Sequence, residues 1–527
     1  MAQEIELKLD LPINAQRRFL RHPFLRQALA RHTQTLINRY FDTPSRALHR
    51  RAIALRLRKQ GRLWLQTVKC AGDSLTGLSS RPEWETTYAG HFDFSSIDAM
   101  PLRRWLEHPK QVQHLAPLFE TNFRRTTWRF EPQPGCIILL MLDRGWIEAA
   151  GRRAPISEVE IELATPDHPA GIAEIFKLAH QLGQQVPLLP NATSKAARGY
   201  RLFLDEPVPS TPPRQAPPLA LHASDTPLHA FRQLMLECLA HLQNNAAEAC
   251  RAGPHDIDER IHQMRIATRR LRALLGLFAE HLPAALREEL TPGLRQLARE
   301  LGYARDLDVL QTHIVTPVIQ ARPNEVHLNT LASMLHTRHQ AARSNVLAYL
   351  HSVAYGQFIL LTTDWLHRPC LTSPRSGAAP LEQFLIARLL RQLNKIQNHI
   401  RLTQIIQAEQ PDISTTLHRL RIAIKHLRYT LEFFQPLITR KSGQSYWRKL
   451  LKKSDHLQEH LGQINDLTHA GVQLTPLIKQ RPQLRETIAQ IGDWHVARYA
   501  CLMQEVLQRL QARHLFKPPR HEQLFRN

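Results

Sequence analysis

The sequence has no run of about 18 consecutive apolar residues, so no membrane-spanning helix is expected. It opens Met1-Ala2-Gln3-Glu4, without a basic segment followed by an apolar stretch, so no secretory signal is expected. Cysteine is sparse. The six residues, at 70, 136, 238, 250, 370 and 501, include no C-x-x-C pair. That spacing argues against a disulfide framework or a cysteine zinc site, and fits reduced thiols in a cytoplasm. Aromatic residues make up only 7% of the chain and do not interleave with its basic segments. Stacking on nucleic-acid bases therefore has little support. Acidic residues are outnumbered, with 69 Lys plus Arg against 46 Asp plus Glu, a formal charge of +23 before 29 histidines are counted. Such a chain attracts polyanions: nucleic acid, anionic lipid or a phosphate polymer.

At 527 residues the chain is too long for one core, and two or three domains are expected. Residues 1–204 read mainly as β. Strand-like segments recur near 3–10, 34–43, 53–59, 63–69, 82–89, 121–130, 136–147 and 156–163, with helices near 14–30, 95–107 and 169–183. Turn signals such as Gln60-Gly61 and Glu131-Pro132-Gln133-Pro134-Gly135 separate some strands. An antiparallel barrel or sandwich follows. Residues 205–227, with Pro207, Pro209, Pro212, Pro213, Pro217 and Pro218, lack apolar periodicity and read as an extended linker. From 228 to 514 the chain reads as helix after helix, broken at 368–380 into segments of about 228–367 and 381–514. The fold class is α+β and multidomain.

The two helical segments repeat each other. His262-Gln-Met-Arg265-Ile266-Ala267-Thr-Arg269-Arg270-Leu271-Arg272 matches His418-Arg-Leu-Arg421-Ile422-Ala423-Ile-Lys425-His426-Leu427-Arg428. Leu301-Gly302-x-x-Arg305-Asp306-Leu307 matches Leu461-Gly462-x-x-Asn465-Asp466-Leu467. A duplicated helical bundle with pseudo-two-fold symmetry is expected.

In the β half, Glu4, Glu6 and Lys8 alternate with Ile5, Leu7 and Leu9, so a strand puts the charges on one face. Glu158, Glu160 and Glu162 do the same far downstream, and Asp143 lies on another strand. Carboxylates brought together repel, and a hard divalent cation relieves that conflict. Cations lie on other strands: Arg56 and Arg58 on one face, Lys69, one of Arg124 and Arg125, then Lys195 and Arg198. A lumen with carboxylates on one side and Arg/Lys on the other suits a metal-bound polyphosphate.

This ordered set resembles the CYTH superfamily, the triphosphate tunnel metalloenzymes. The similarity runs through Glu4-x-Glu6-x-Lys8, Tyr40-Phe41-Asp42-Thr43, Leu55-Arg56-Leu57-Arg58, Lys69, Arg125, Asp143, Glu158-x-Glu160-x-Glu162 and Ser194-Lys195. It implies an eight-stranded antiparallel tunnel with flanking helices that hydrolyses inorganic triphosphate with Mg²⁺ or Mn²⁺. It implies that Glu4, Glu6, Glu160 and Glu162 serve the metal, with Asp143 and Glu158 next. Lys8, Arg56, Arg58, Lys69, Arg125 and Lys195 would bind triphosphate, and Glu4, Glu6, Lys8, Glu160 and Glu162 would carry catalysis. Adenylate cyclase or thiamine or nucleoside triphosphatase activity on the same scaffold is the alternative.

In the helical half, His262, Arg265, Arg269 and Arg272 stand at offsets 0, 3, 7 and 10, and His418, Arg421, Lys425 and Arg428 repeat them. Each set falls on one helix face. A row of like charges repels itself, so its repetition points to an anionic ligand. The repeat resembles the CHAD domain, which implies two four-helix bundles around a basic pore or groove that binds inorganic polyphosphate through these eight residues. Lys449, Lys452 and Lys453 read equally well as further contacts or as a solvated run. Bound to a polyanion, the histidines should gain pKa, so binding should strengthen in mild acid. The expected partners are inorganic triphosphate and polyphosphate, with no membrane and little place for nucleic acid. The expected setting is cytoplasmic, with association at polyphosphate granules. A non-catalytic polyphosphate-binding protein is a further alternative.

Overall fold

A computed structural model describes residues 2–70, 73–204, 221–250, 256–372, 379–409, 413–512, 515–519 and 524. It divides into two compact units. The first contains Met1–Arg214, Ala246–Gly253 and Ala348–Pro369; the second contains Gln215–Asn245, Pro254–Leu347 and Cys370–Asn527.

The first unit is built on eight strands: β1 (Ala2–Asp10), β2 (Ala30–Asp42), β3 (Ile53–Gln60), β4 (Leu63–Cys70), β5 (Leu78–Thr87), β6 (Ala116–Gln133), β7 (Cys136–Ala149) and β8 (Arg152–Leu163). Every pairing is antiparallel, in the order β1-β8-β7-β6-β2-β3-β4-β5, and β5 returns to β1 to close the barrel. Each of the eight strand-like segments of the sequence is one of these strands. The helix expected over 14–30 is broken. Pro23 interrupts it, leaving Gln16–Leu20 and a 3-10 turn, and β2 begins at Ala30. Met100–Leu106 and α1 (Gly171–Gly183) form where expected.

The apolar core lies outside the barrel wall. Leu7 and Leu9 of β1, Leu140 and Leu142 of β7, and Val159 and Ile161 of β8 point outward and pack with Ile175, Phe176 and Leu182 of α1. Leu55, Val68 and Trp84 form a second cluster with Phe94, Ile97 and Leu106. Period-2 alternation therefore sends the charged residues into the lumen. Helix α2 (Lys195–Phe203) is capped by Ser194, whose Oγ accepts from the Ala197 amide at 3.1 Å. Its Gly199 lies against Phe119, where an added Cβ would come within 2.1 Å of the ring.

The proline-rich segment falls mostly outside the described residues, since 205–220 are not described. Eight long helices follow in two sets: α3 (Pro227–Ala249), α4 (Ile257–Leu277), α5 (Ala284–Val309) and α6 (Val326–Leu350), then, after α7 (Val353–His367), α8 (Leu381–Glu409), α9 (Ser414–Phe434), α10 (Lys441–Gln480) and α11 (Arg485–Leu510). Helix α7 departs from the expected first repeat, because it packs in the barrel unit. Leu360 joins the core beside α1, and Gly356 lets the α7 backbone meet Leu188, whose carbonyl would lie 2.5 Å from an added Cβ. His180 Nε2 faces Asp364 at 3.7 Å. Among the described residues no single helix is long and apolar enough to cross a membrane, and no disulfide joins the six cysteines.

Candidate functional site

The barrel lumen is a cavity of about 1040 Å³, lined on every side by charged residues. Register places Glu4 opposite Arg81 and Glu6 opposite Ser79 on β5, and Glu6 opposite Glu162 and Lys8 opposite Glu160 on β8. The ion pairs form two groups.

In the first group, Lys69 Nζ lies 2.7 Å from Glu4 and 2.8 Å from Glu83. Arg81 donates to Glu4 at 2.9 Å and to Glu6 at 2.6 Å. In the second, Lys195 Nζ sits among Asp143 (2.6 Å), Glu160 (2.9 Å) and Glu158. Arg125 forks onto Asp143 at 2.8 and 2.7 Å and reaches Glu160 at 2.5 Å. Arg198 closes on Glu158 at 3.0 Å. Lys8 stands between the groups, 3.4 Å from Glu6 and 3.7 Å from Glu160.

Titration follows this division. Burial pushes Glu160 up, but Lys195, Arg125 and Lys8 outweigh it and hold the carboxyl well below the usual range. Glu162 has no such set of partners: burial, with Glu4 and Glu6 beside it, pushes it up to about 7. On the cationic wall, burial and the neighbouring Arg56 and Arg125 push Arg58 down to about 10. Like charges thus crowd Glu162 on the acidic wall and Arg58 on the cationic one. A divalent cation fits the first and a phosphate chain the second. Asp143, Glu158 and Glu160 also converge closely enough to hold an ion, but Lys195 already supplies positive charge there. In the second unit Asp258, Asp308 and His339 converge too, and Arg343 already donates to Asp258 at 2.6 Å.

In that unit the two basic rows lie on α4 and α9. Lys425 is partly buried near Arg269, Arg421, Arg265 and Arg272, so the two rows lie close to one another. Burial and those four cations push Lys425 down to about 7. Arg265 Nη1 is 3.2 Å from Asp306, and Arg421 donates to Asn465 at 3.3 Å. The second repeated motif therefore supplies partners for the first, and a Cβ at Gly302 would come within 3.1 Å of Arg265 Nη1. Arg428 pairs with Glu432 at 3.0 Å and Asp455 at 3.5 Å. The histidines are not equivalent. Burial and the nearby Arg305 hold His262 below its usual pKa, whereas His418 is exposed.

Residues 2–200 match the CYTH domain family and residues 233–475 the CHAD domain family. The chain is a CYTH domain followed by a CHAD domain. An inorganic triphosphatase of Haemophilus influenzae is 31% identical over 202 residues, which are 38% of this chain and 55% of that protein. The chain thus matches about half the length of that relative. An uncharacterised protein of Mycobacterium tuberculosis is 25% identical over 413 residues, 76% of this chain and 75% of its own. The solved CHAD domain of the plant Ricinus communis has 30% identity, covering 59% of this chain and 99% of that one, with a TM-score of 0.48.

Within the CYTH tunnel the structure brings together Glu4, Glu6, Lys8, Arg56, Arg58, Lys69, Arg125, Asp143, Glu158, Glu160, Glu162 and Lys195. Parity selects Arg125 over Arg124 for the lumen. Sequence reasoning missed Arg81, Glu83 and Glu85, which face inward from β5. The signal was present, since these residues alternate with Pro82 and Trp84 as Glu4 and Glu6 do with Ile5. Asp42 serves structure: it accepts the Thr43, Leu48 and His49 amides at 2.7–2.9 Å and the Tyr200 hydroxyl at 2.9 Å. In the CHAD half, Lys449, Lys452 and Lys453 are exposed on α10, and Lys453 donates to the Leu515 carbonyl at 3.0 Å.

Proposed function

We propose that the tunnel hydrolyses inorganic triphosphate to phosphate and diphosphate with Mg²⁺ or Mn²⁺, and that the basic groove binds inorganic polyphosphate. The observation that carries the first reading is the opposed crowding of charge in one lumen: Arg58 is pushed down by burial with Arg56 and Arg125 beside it, and Glu162 is pushed up by burial with Glu4 and Glu6 beside it. The Haemophilus relative, an inorganic triphosphatase, supports it. Arg56, Arg58 and Arg125 clamp non-bridging phosphate oxygens, as planar forks do. Lys8 and Lys69 each add an ammonium where a phosphate oxygen would meet the acidic wall. Glu4, Glu6 and Glu162 hold the cation, which polarises the phosphate and activates water when bound. Positioning and charge neutralisation lower the barrier, as phosphoryl transfer requires little else of a protein.

The test is release of phosphate, diphosphate and cyclic nucleotide by the full chain from triphosphate, ATP and thiamine triphosphate, with each metal. Triphosphate should give the highest kcat/KM, and Glu4→Gln or Lys8→Ala should remove at least 99% of the rate. Cyclic AMP from ATP would make the protein a cyclase. Absence of any metal-dependent hydrolysis would leave a binding protein. For the groove, Arg265→Ala with Arg421→Ala should weaken long-chain polyphosphate at least tenfold. Equal competition by DNA at moderate salt would end the case for a phosphate polymer.

A further inference from the structure

The two halves of the helical unit are not equally basic away from the groove. Pro227-Leu228-x-x-Phe231 on α3 corresponds to Pro380-Leu381-x-x-Phe384 on α8. In that register Met235, Cys238 and Leu242, all buried, correspond to Arg388, Arg391 and Lys395. Three core positions of the first half have become a row of cations in the second.

The same comparison explains why the cations have room. The repeat pairs Ala273, Gly276 and Leu277 of α4 with Tyr429, Glu432 and Phe433 of α9. The larger set holds a cation of α4, with Arg270 over the Phe433 ring at 4.7 Å and 3.4 Å from Glu432. The smaller set lines one wall of a cavity of about 250 Å³, with Tyr429 and Phe433 on another, and a Cβ at Gly276 would meet nothing within 4 Å. Arg388, Arg391 and Lys395 line it together with His426, and no carboxylate does. His426 and Thr430 lie roughly 100–140° around α9 from Lys425, on a different face from the groove row. Glu280 stands by the cavity, 3.2 Å from Arg388 and 2.8 Å from Arg391.

We propose that this cavity is a second anion site, separate from the groove, which takes a small phosphate-bearing ligand on Arg388, Arg391, Lys395 and His426, with Glu280 competing for the two guanidinium groups. The volume lies below the roughly 300–1,000 Å³ of drug-sized pockets, so the ligand is compact. The ligand is a free phosphate or diphosphate, or the phosphate of a small monoester; the chemistry recognised is the same.

Equilibrium dialysis of radiolabelled diphosphate against the full chain counts the sites. Gly276→Phe should remove one site per chain, and Arg391→Ala should weaken one at least tenfold. Glu280→Gln should tighten that site three- to tenfold, and triphosphate hydrolysis should not change in any variant. Arg391 is exposed, so its variant keeps the test valid if Gly276→Phe does not fold. Displacement by phosphate but not AMP identifies a free anion, and displacement by both identifies a phosphomonoester site. The proposal is overturned if the site count and affinities match wild type in all three variants, or if neither competitor displaces the label. It is also overturned if long-chain polyphosphate is lost in parallel, which would make the cavity the end of the groove.

Discussion

Lys195 shows how a residue legible in the sequence takes a role that the sequence does not display. It reads as a phosphate ligand, yet its ammonium contacts Asp143, Glu158 and Glu160, all buried. Removing one partner from a buried charge network leaves the others uncompensated. Lys195→Met should therefore destabilise the protein by about 3–5 kcal/mol in urea unfolding at neutral pH. Burial and Glu160 already push Glu158 up. A carboxylate with a raised folded pKa costs stability as pH climbs above its unfolded value, so the deficit should shrink by pH 5. Arg81 is the opposite case. Its partners, Glu4 and Glu6, were recognised and it was not, because the strand-like segment near 82–89 starts one residue after it, whereas the strand runs Leu78–Thr87. Arg81→Ala should lower kcat/KM for triphosphate by about 10- to 100-fold, which is about 1.4–2.8 kcal/mol of transition-state stabilisation.

At the scale of single elements, strand parity was the most readable feature. Alternation in β1, β3 and β8 assigned Glu4, Arg56 and Glu160 to one lumen because a strand has only two faces. Helix α2 was less readable: Lys195 and Arg198 could be named, but their aim depends on how closely Gly199 lets the helix approach Phe119. Gly199→Ala should lift that helix, lower the melting temperature and reduce hydrolysis together, since overpacking costs roughly 1–3 kcal/mol. In the basic rows, the offsets were legible and the titrating residue was not. The histidines are expected to gain protons only with an anion bound; without one, burial and Arg305 hold His262 low. Lys425, pushed down to about 7, is neutral above that pH until an anion restores its proton. Polyphosphate affinity should fall by up to tenfold per unit as pH rises above 7. Lys425→Arg should abolish that slope in calorimetric titrations from pH 6 to 9.

For the whole molecule, composition and the internal repeat were enough to separate a charged β half from a duplicated helical half. They could not locate α7, because its apolar sequence suits a bundle core as well as a barrel flank. A fragment ending at 204 lacks Leu360 and the Gly356 contact, so it leaves the outer face of Phe176 and Leu188 uncovered. Such a fragment should melt about 5–10 °C lower than the same fragment with residues 348–369 joined by a flexible linker. Calorimetry of the two would decide it, and activity of the tunnel is best measured on the full chain.

The return of α7 also sets a timetable for the nascent chain. The last barrel strand ends at Leu163 and α2 at Phe203, but the helix that covers α1 ends at His367. At about 5–20 residues per second, the ribosome needs roughly 10–30 s more to deliver it. Throughout that interval the tunnel strands can pair while a patch of apolar surface stays open, and the first bundle's helices emerge beside it. Slowed translation through 204–367 should prolong that exposure, and a chaperone that binds apolar surface should meet this chain there.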